Sequence, residues 1–246
     1  MELIAHRGAS YDAPENTLAA VNLAWRQNAD AVEVDVHLSK DRRLVVIHDD
    51  NARRTGGVDD KVSEQTLSRL RSLDVGRWKG NPWTGEKIPL LEEVLTGIPD
   101  DRRLFVELKC GPEGVRVFQQ TLGLLGQAPG PIVAISFSLD LVTRLRVSMP
   151  ALEVCWICKF RRNWNTGRWS PAAHELISTL TEAGLNGVDL DARGPVNSLL
   201  VKKLKDAGLK VYVWTVDSPV EARRLFKAGV DGITTNRPGW LREKLK

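Results

Sequence analysis

The chain has 246 residues, 42% hydrophobic and 27% charged, with a formal net charge of +4. That balance excludes a disordered chain and fits one large domain or two small ones. The mild positive excess suits anionic small molecules but lacks the dense Lys/Arg clustering of a nucleic-acid binder, and no apolar run is long enough to span a bilayer.

Met1–Ala5 runs straight into His6-Arg7-Gly8, so no signal peptide is expected, and three cysteines argue against a disulfide framework and for a reducing, cytoplasmic setting. The first β-rich run, Leu3–Ala5, ends at His6 and Arg7. A helix is predicted over Asn16–Gln27, capped by Asn16 or Thr17, with Glu15 just before it. The second run, Ala31–Val36, puts Glu33, Asp35 and, beyond it, His37 on one face. Only the brief turn Ser39-Lys40-Asp41 separates it from Leu44–Ile47, a link that permits a hairpin but not a parallel crossover. The return arm brings His48 towards Glu33 and Asp35.

From about residue 50 to 89 the pattern is broken by Gly56-Gly57, Gly76, Gly80, Asn81-Pro82 and Gly85, with one short helix near Ser63–Leu73; this reads as an insertion on a functional face. Regular alternation then returns. Strands are predicted at Leu104–Leu108, Ile132–Ile135, Leu152–Ile157, Gly187–Leu190, Lys210–Thr215 and Gly232–Thr235. Helices are predicted at Gly114–Leu125, Leu139–Ser148, Pro171–Glu182, Val196–Asp206 and Pro219–Lys227. Eight strands, each followed by a helix or a long insertion, predict an α/β fold, a (β/α)₈ TIM barrel over residues 1–246 with an accessory hairpin and a small insertion after its second strand.

Catalytic groups of such a barrel sit at the C-terminal ends of its strands. His6 and Arg7 fall past the first, Glu33 and Asp35 on the second, and Glu107 and Lys109 share a face of the third. Three carboxylates without a thiolate suit Mg²⁺ or Ca²⁺ better than zinc. Cys155 and Cys158 have CxxC spacing without a second pair and are read as core thiols. Lys159-Phe160-Arg161-Arg162-Asn163-Trp164, with Arg168-Trp169, is read as a basic aromatic loop that acts as a lid over the substrate head group. His174 is expected in solvent.

Ala5-His6-Arg7-Gly8, Ala13-Pro14-Glu15-Asn16-Thr17, Glu33-Val34-Asp35, Ile47-His48-Asp49-Asp50, Glu107-Leu108-Lys109 and Trp214-Thr215-Val216 together resemble the glycerophosphodiester phosphodiesterases, nearest the short bacterial cytoplasmic enzymes. The resemblance runs from end to end. It implies a divalent metal held by Glu33, Asp35 and Glu107, with His6 and His48 as acid–base pair. Arg7 and Lys109 would hold phosphate oxygens, Trp214 would form a wall against glycerol, and Glu15 would orient Arg7 or touch the metal's water shell. One departure is Thr235-Asn236, where the family usually carries Thr-Asp; the turn should survive and its charge should not.

The expected activity is metal-dependent hydrolysis of glycerophosphodiesters to glycerol 3-phosphate and an alcohol. A lysophospholipase D acting on acylated lipid is one rival, and a non-catalytic barrel that binds phosphate esters is another. The expected partner is a small-molecule substrate, with no nucleic acid and no stable membrane insertion; a homodimer is compatible, but no interface is legible.

Overall fold

The structure, a computed structural model, describes residues 1–124 and 132–246. Strand β1 (Glu2–His6) leads through helix α1 (Leu18–Arg26) to β2 (Ala31–Leu38), from which β3 (Leu44–Val46) folds back antiparallel. The insertion follows with α2 (Arg53–Gly56), α3 (Leu67–Ser72) and α4 (Leu91–Leu95). Then come β4 (Arg103–Leu108), α5 (Pro112–Leu124), β5 (Ile132–Ser136), α6 (Leu139–Ser148) and β6 (Glu153–Cys158). A small hairpin of β7 (Arg161–Arg162) and β8 (Trp169–Ser170) precedes α7 (Ala173–Glu182). The chain finishes as β9 (Gly187–Asp191), α8 (Ser198–Asp206), β10 (Lys210–Trp214), α9 (Pro219–Ala228), β11 (Gly232–Thr235) and α10 (Pro238–Leu245).

Strands β1, β2, β4, β5, β6, β9, β10 and β11 pair in parallel, and β11 returns to β1, closing an eight-stranded (β/α)₈ barrel. Period-two alternation gives each strand an outer and an inner face. Outward residues such as Val32, Val34, Leu104, Val106, Val188 and Val211 are buried beneath the helices. Inward residues Ile4, Ala31, Phe105, Val133, Cys155 and Tyr212 plug the lower lumen. Phe105 and Tyr212 meet edge to face at 5.0 Å. Below them Arg103 bridges Glu2 at 2.9 Å and Glu153 at 2.8 Å, closing the floor with paired charge. The apolar plug leaves only the C-terminal mouth for polar chemistry.

The insertion has a small core of its own, in which Ile47, Val62, Leu70, Val75 and Ile88 pack with Val45 of β3. This fixes the segment carrying Asp49 and Arg54 over the barrel mouth. Three local details depart from the sequence reading. The first helix starts at Leu18, because Asn16 adopts a left-handed φ of 58° and Thr17 caps the helix by accepting from Ala20 N–H at 3.2 Å. The 160s are not a plain loop, since Arg161 pairs with Ser170 and Arg162 with Trp169. A final helix begins at Pro238, in the first-turn position where its missing N–H does no harm. Leu125, the last residue of the predicted Gly114–Leu125 helix, lies outside the described residues.

Gly8 lets α1 approach the turn after β1. Its φ is +79°, and a β-carbon there would lie 2.5 Å from the carbonyl carbon of Ala20. Left-handed strain and the clash add in Gly8→Ala, which should lower stability by roughly 3 kcal/mol, read as a reduced urea midpoint at unchanged slope. An unchanged midpoint would show that this contact does not set the turn.

Candidate functional site

Register brings the acidic residues together at the mouth. β1 pairs His6 with Glu33, and β2 pairs Asp35 with Glu107. Parity points the three carboxylates into the lumen, where one oxygen of each of Glu33, Asp35 and Glu107 lies within 4.8 Å of the others. All three residues are buried. Asp35 is flanked by two cations, Arg7 Nε at 3.2 Å from Oδ2 and Lys109 Nζ at 3.2 Å from Oδ1, and Lys109 also reaches Glu107 at 2.6 Å. Asn16 clamps Asp35 a second time, donating from Nδ2 to Oδ2 at 2.8 Å and accepting from its backbone N–H at 3.2 Å. The Arg7 backbone, with φ +55°, turns its N–H onto Glu33 at 3.0 Å.

These contacts set the charge states unequally. Burial alone would raise Asp35, but Lys109 and Arg7 outweigh it and hold this carboxyl well below the usual carboxylate range. Burial, and then repulsion from Asp35, push Glu107 up to about 7. Glu33 is raised strongly by burial and by both neighbouring acids. The cluster is therefore short of positive charge. Asp35 Oδ1 is buried without a hydrogen-bond partner, although Lys109 is near. An all-oxygen donor set with an orphaned oxygen and unrelieved like-charge repulsion fits a hard divalent cation.

The histidines stand on either side. His6 Nδ1 bonds Asn236 Oδ1 at 2.8 Å. The amide is oriented by Asp217, which accepts from Asn236 Nδ2 at 2.6 Å and from its backbone N–H at 2.8 Å. With the amide oxygen turned to His6, Nδ1 carries the proton and Nε2 is the free base. His48 Nδ1 instead bonds a carboxylate, Asp49 Oδ1, at 2.7 Å. Both rings have lowered pKa values, through burial first, and Arg7 lowers both further; Asn236, Asp35 and Glu15 pull His6 back up in part, and Asp35 and Asp49 do the same for His48. His37 Nε2 touches the His48 carbonyl at 3.0 Å and supports that loop.

One chain of ion pairs links the two arms. Arg7 bonds Glu15 at 2.7 Å, Glu15 takes Arg54 at 2.6 Å, and Arg54 Nε bonds Asp49 at 2.7 Å. Glu15 thus touches Arg7, whereas Arg54 carried no signal in the sequence because its partners are 39 and 5 residues away. The mouth opens into a cavity of about 110 Å³ bounded by His6, Arg7, His48 and Lys109 on one side and by Phe137, Lys159 and Trp214 on the other. Trp214 meets Phe137 edge to face at 5.6 Å, and Lys159 Nζ stands 4.9 and 5.3 Å from the two ring centres. His174 is exposed. Cys155 faces the lumen and Cys158 the outer core, so the two thiols point apart. Among the described residues no helix is long and apolar enough to cross a membrane.

A model of the "Glycerophosphoryl diester phosphodiesterase family" matches residues 6–240. The chain is 40% identical to a glycerophosphodiester phosphodiesterase of Bacillus altitudinis over 100% of its own length and 99% of the relative's. It is 32% identical to one from Caldanaerobacter subterraneus, with 97% and 95% covered. Its fold is similar to that of an Oleispira antarctica phosphodiesterase solved with the product sn-glycerol-3-phosphate, at a TM-score of 0.88 and 27% identity, covering 100% of this chain and 96% of that one.

The raised carboxyls give a signed pH dependence. Their folded pKa values lie above the unfolded ones, so their contribution is full below about pH 4.3 and lost as pH rises through about 7 for Glu107. Asp35 behaves oppositely, losing its contribution only as pH falls. Lowered histidines also favour higher pH, so a difference measurement is needed. In EDTA, Glu107→Gln should gain on the order of 2 kcal/mol over the unsubstituted protein between pH 5 and 8. Parallel stability–pH curves for the two proteins would contradict the crowding of charge.

Proposed function

Because the chain belongs to the glycerophosphoryl diester phosphodiesterase family, we propose that it hydrolyses glycerophosphodiesters to sn-glycerol 3-phosphate and an alcohol. The observation that carries the site assignment is the buried Glu33–Asp35–Glu107 cluster with Arg7, Lys109, His6 and His48 around one cavity.

In this reading Glu33, Asp35 and Glu107 would hold Mg²⁺ or Ca²⁺, which when bound supplies Lewis-acid stabilisation of charge on the phosphoryl oxygens. Arg7 and Lys109 hold the other anionic oxygens, each already anchored on Asp35 and therefore fixed before substrate arrives. His6 is the base. Its neutral amide partner and buried site beside Arg7 favour the uncharged ring, with Nε2 open to a proton. His48, on the Asp49 carboxylate, is better suited to carry positive charge and is the acid.

As the attacking oxygen bonds phosphorus, its proton passes to His6 Nε2. The P–O bond to the alcohol breaks, its electron pair leaves with that oxygen, and His48 supplies the proton that makes the free alcohol. The attacking group is water, or the neighbouring glycerol hydroxyl with water opening the cyclic phosphate afterwards. Trp214 and Phe137 form the wall on the glycerol side.

Glycerophosphocholine should release glycerol 3-phosphate with Mg²⁺ or Ca²⁺ and not in EDTA. Choline released from lysophosphatidylcholine alone would reassign the chain to a lysophospholipase D. Glu33→Gln or Asp35→Asn should remove turnover. His6→Ala or His48→Ala should lower kcat by roughly 10²–10⁴-fold with cation binding kept, and full activity in either would end the acid–base assignment. Asp49→Asn should move the alkaline limb of the rate profile to lower pH, because the charge that favours protonated His48 is gone; an unmoved limb would exclude His48 as the acid.

A further inference from the structure

Strand β9 turns Gly187, Asp189 and Asp191 to the lumen, and Asp189 pairs in register with Ile157 on one side and Tyr212 on the other. It is 3% exposed and lines the same cavity as the acidic cluster. Its Oδ1 is buried without a hydrogen-bond partner. The neighbouring buried carboxylates are treated differently. Asp35 has Arg7, Lys109 and Asn16, Glu107 has Lys109, Glu33 has the Arg7 N–H, and Asp191 is gripped by Arg193. Asp189 is not one of the three clustered carboxylates, although the charge of Glu107 reaches it.

The surroundings say what would meet this oxygen. Ile157 stands beside it in register and Ile135 lines the same cavity; neither offers a polar side-chain atom. Trp214, on the proposed glycerol side, donates from Nε1 to the Asp189 carbonyl at 3.3 Å, which ties the indole to this point of the strand. A buried acceptor without a partner normally costs stability. A hydroxyl entering that pocket gives up water and needs an acceptor there.

We propose that Asp189 accepts a hydrogen bond from a hydroxyl of the substrate's glycerol moiety and so sets specificity for glycerol over other alcohols on the phosphate. The proposal rests on the glycerophosphodiester reading above and deepens it: phosphate is held by Arg7 and Lys109, and the polyol is read by Asp189 beneath Trp214.

The test compares Asp189→Leu and Asp189→Asn with the unsubstituted protein on glycerophosphocholine, on 2-hydroxyethyl phosphocholine, which lacks one hydroxymethyl arm, and on bis(p-nitrophenyl) phosphate, which has no glycerol. Asp189→Leu should lose about 10²-fold or more in kcat/KM on glycerophosphocholine and stay within about 3-fold on bis(p-nitrophenyl) phosphate. Asp189→Asn, which keeps an acceptor, should lose less than about 10-fold. The Tm of Asp189→Leu should hold or rise, since an unpartnered buried carboxyl has been removed. Equal losses on both diesters, or an unchanged preference for glycerophosphocholine over the hydroxyethyl analogue, would overturn the role. If the unsubstituted protein cleaves bis(p-nitrophenyl) phosphate but not glycerophosphocholine, the glycerophosphodiester reading itself fails and takes this proposal with it.

Discussion

Three carboxylates buried within 4.8 Å of one another at the mouth of an apolar barrel are the constraint around which the rest of the site is arranged. Two unit charges at that spacing repel by several kcal/mol at an effective dielectric near 20. The fold answers with Arg7 and Lys109 on Asp35, with the Asn16 amide, and with a backbone N–H on Glu33. These relieve Asp35 fully and its neighbours only in part, which is why Glu107 is pushed up to about 7 and Glu33 is also raised well above the usual carboxylate range. The remaining deficit of positive charge is what a divalent cation would meet.

Holding such a cluster requires rigid backing. The helix α1 is drawn against the His6-Arg7 turn through Gly8, and the turn delivers both the Arg7 side chain and its N–H to the acids. On the far side, the insertion's small apolar core fixes Arg54, which bridges Glu15 to Asp49. A continuous line of ion pairs therefore joins the first strand's turn to His48. Several of its members are partly exposed, so its value lies in geometry more than in stability.

The two histidines differ by partner and not by residue type. Asn236 gives His6 a neutral acceptor, itself held by Asp217, whereas Asp49 gives His48 a charged one. An aspartate in place of Asn236 would make the two arms more alike. Asn236 bonds His6 without placing a negative charge of its own beside the ring.

Much was legible in the chain alone. Period-two alternation, strand spacing and the short Ser39–Asp41 turn determined the closed barrel and its antiparallel return arm, because those signals are local. The strand-end positions of Glu33, Asp35, Glu107 and Lys109 followed from the same parity. What lay beyond the sequence was pairing across distance. Of Asn16 and Thr17, both read as candidates for the helix cap, Thr17 does the capping and Asn16 is the clamp on Asp35. Arg54 sat in a segment without periodicity, and Asp189 lay in a predicted strand with nothing local to name its neighbours, which are Ile157 and Tyr212. Local patterns fix which face a side chain takes; only closure of the barrel decides which charges share a lumen, and therefore which carboxyl is paired, crowded or left alone.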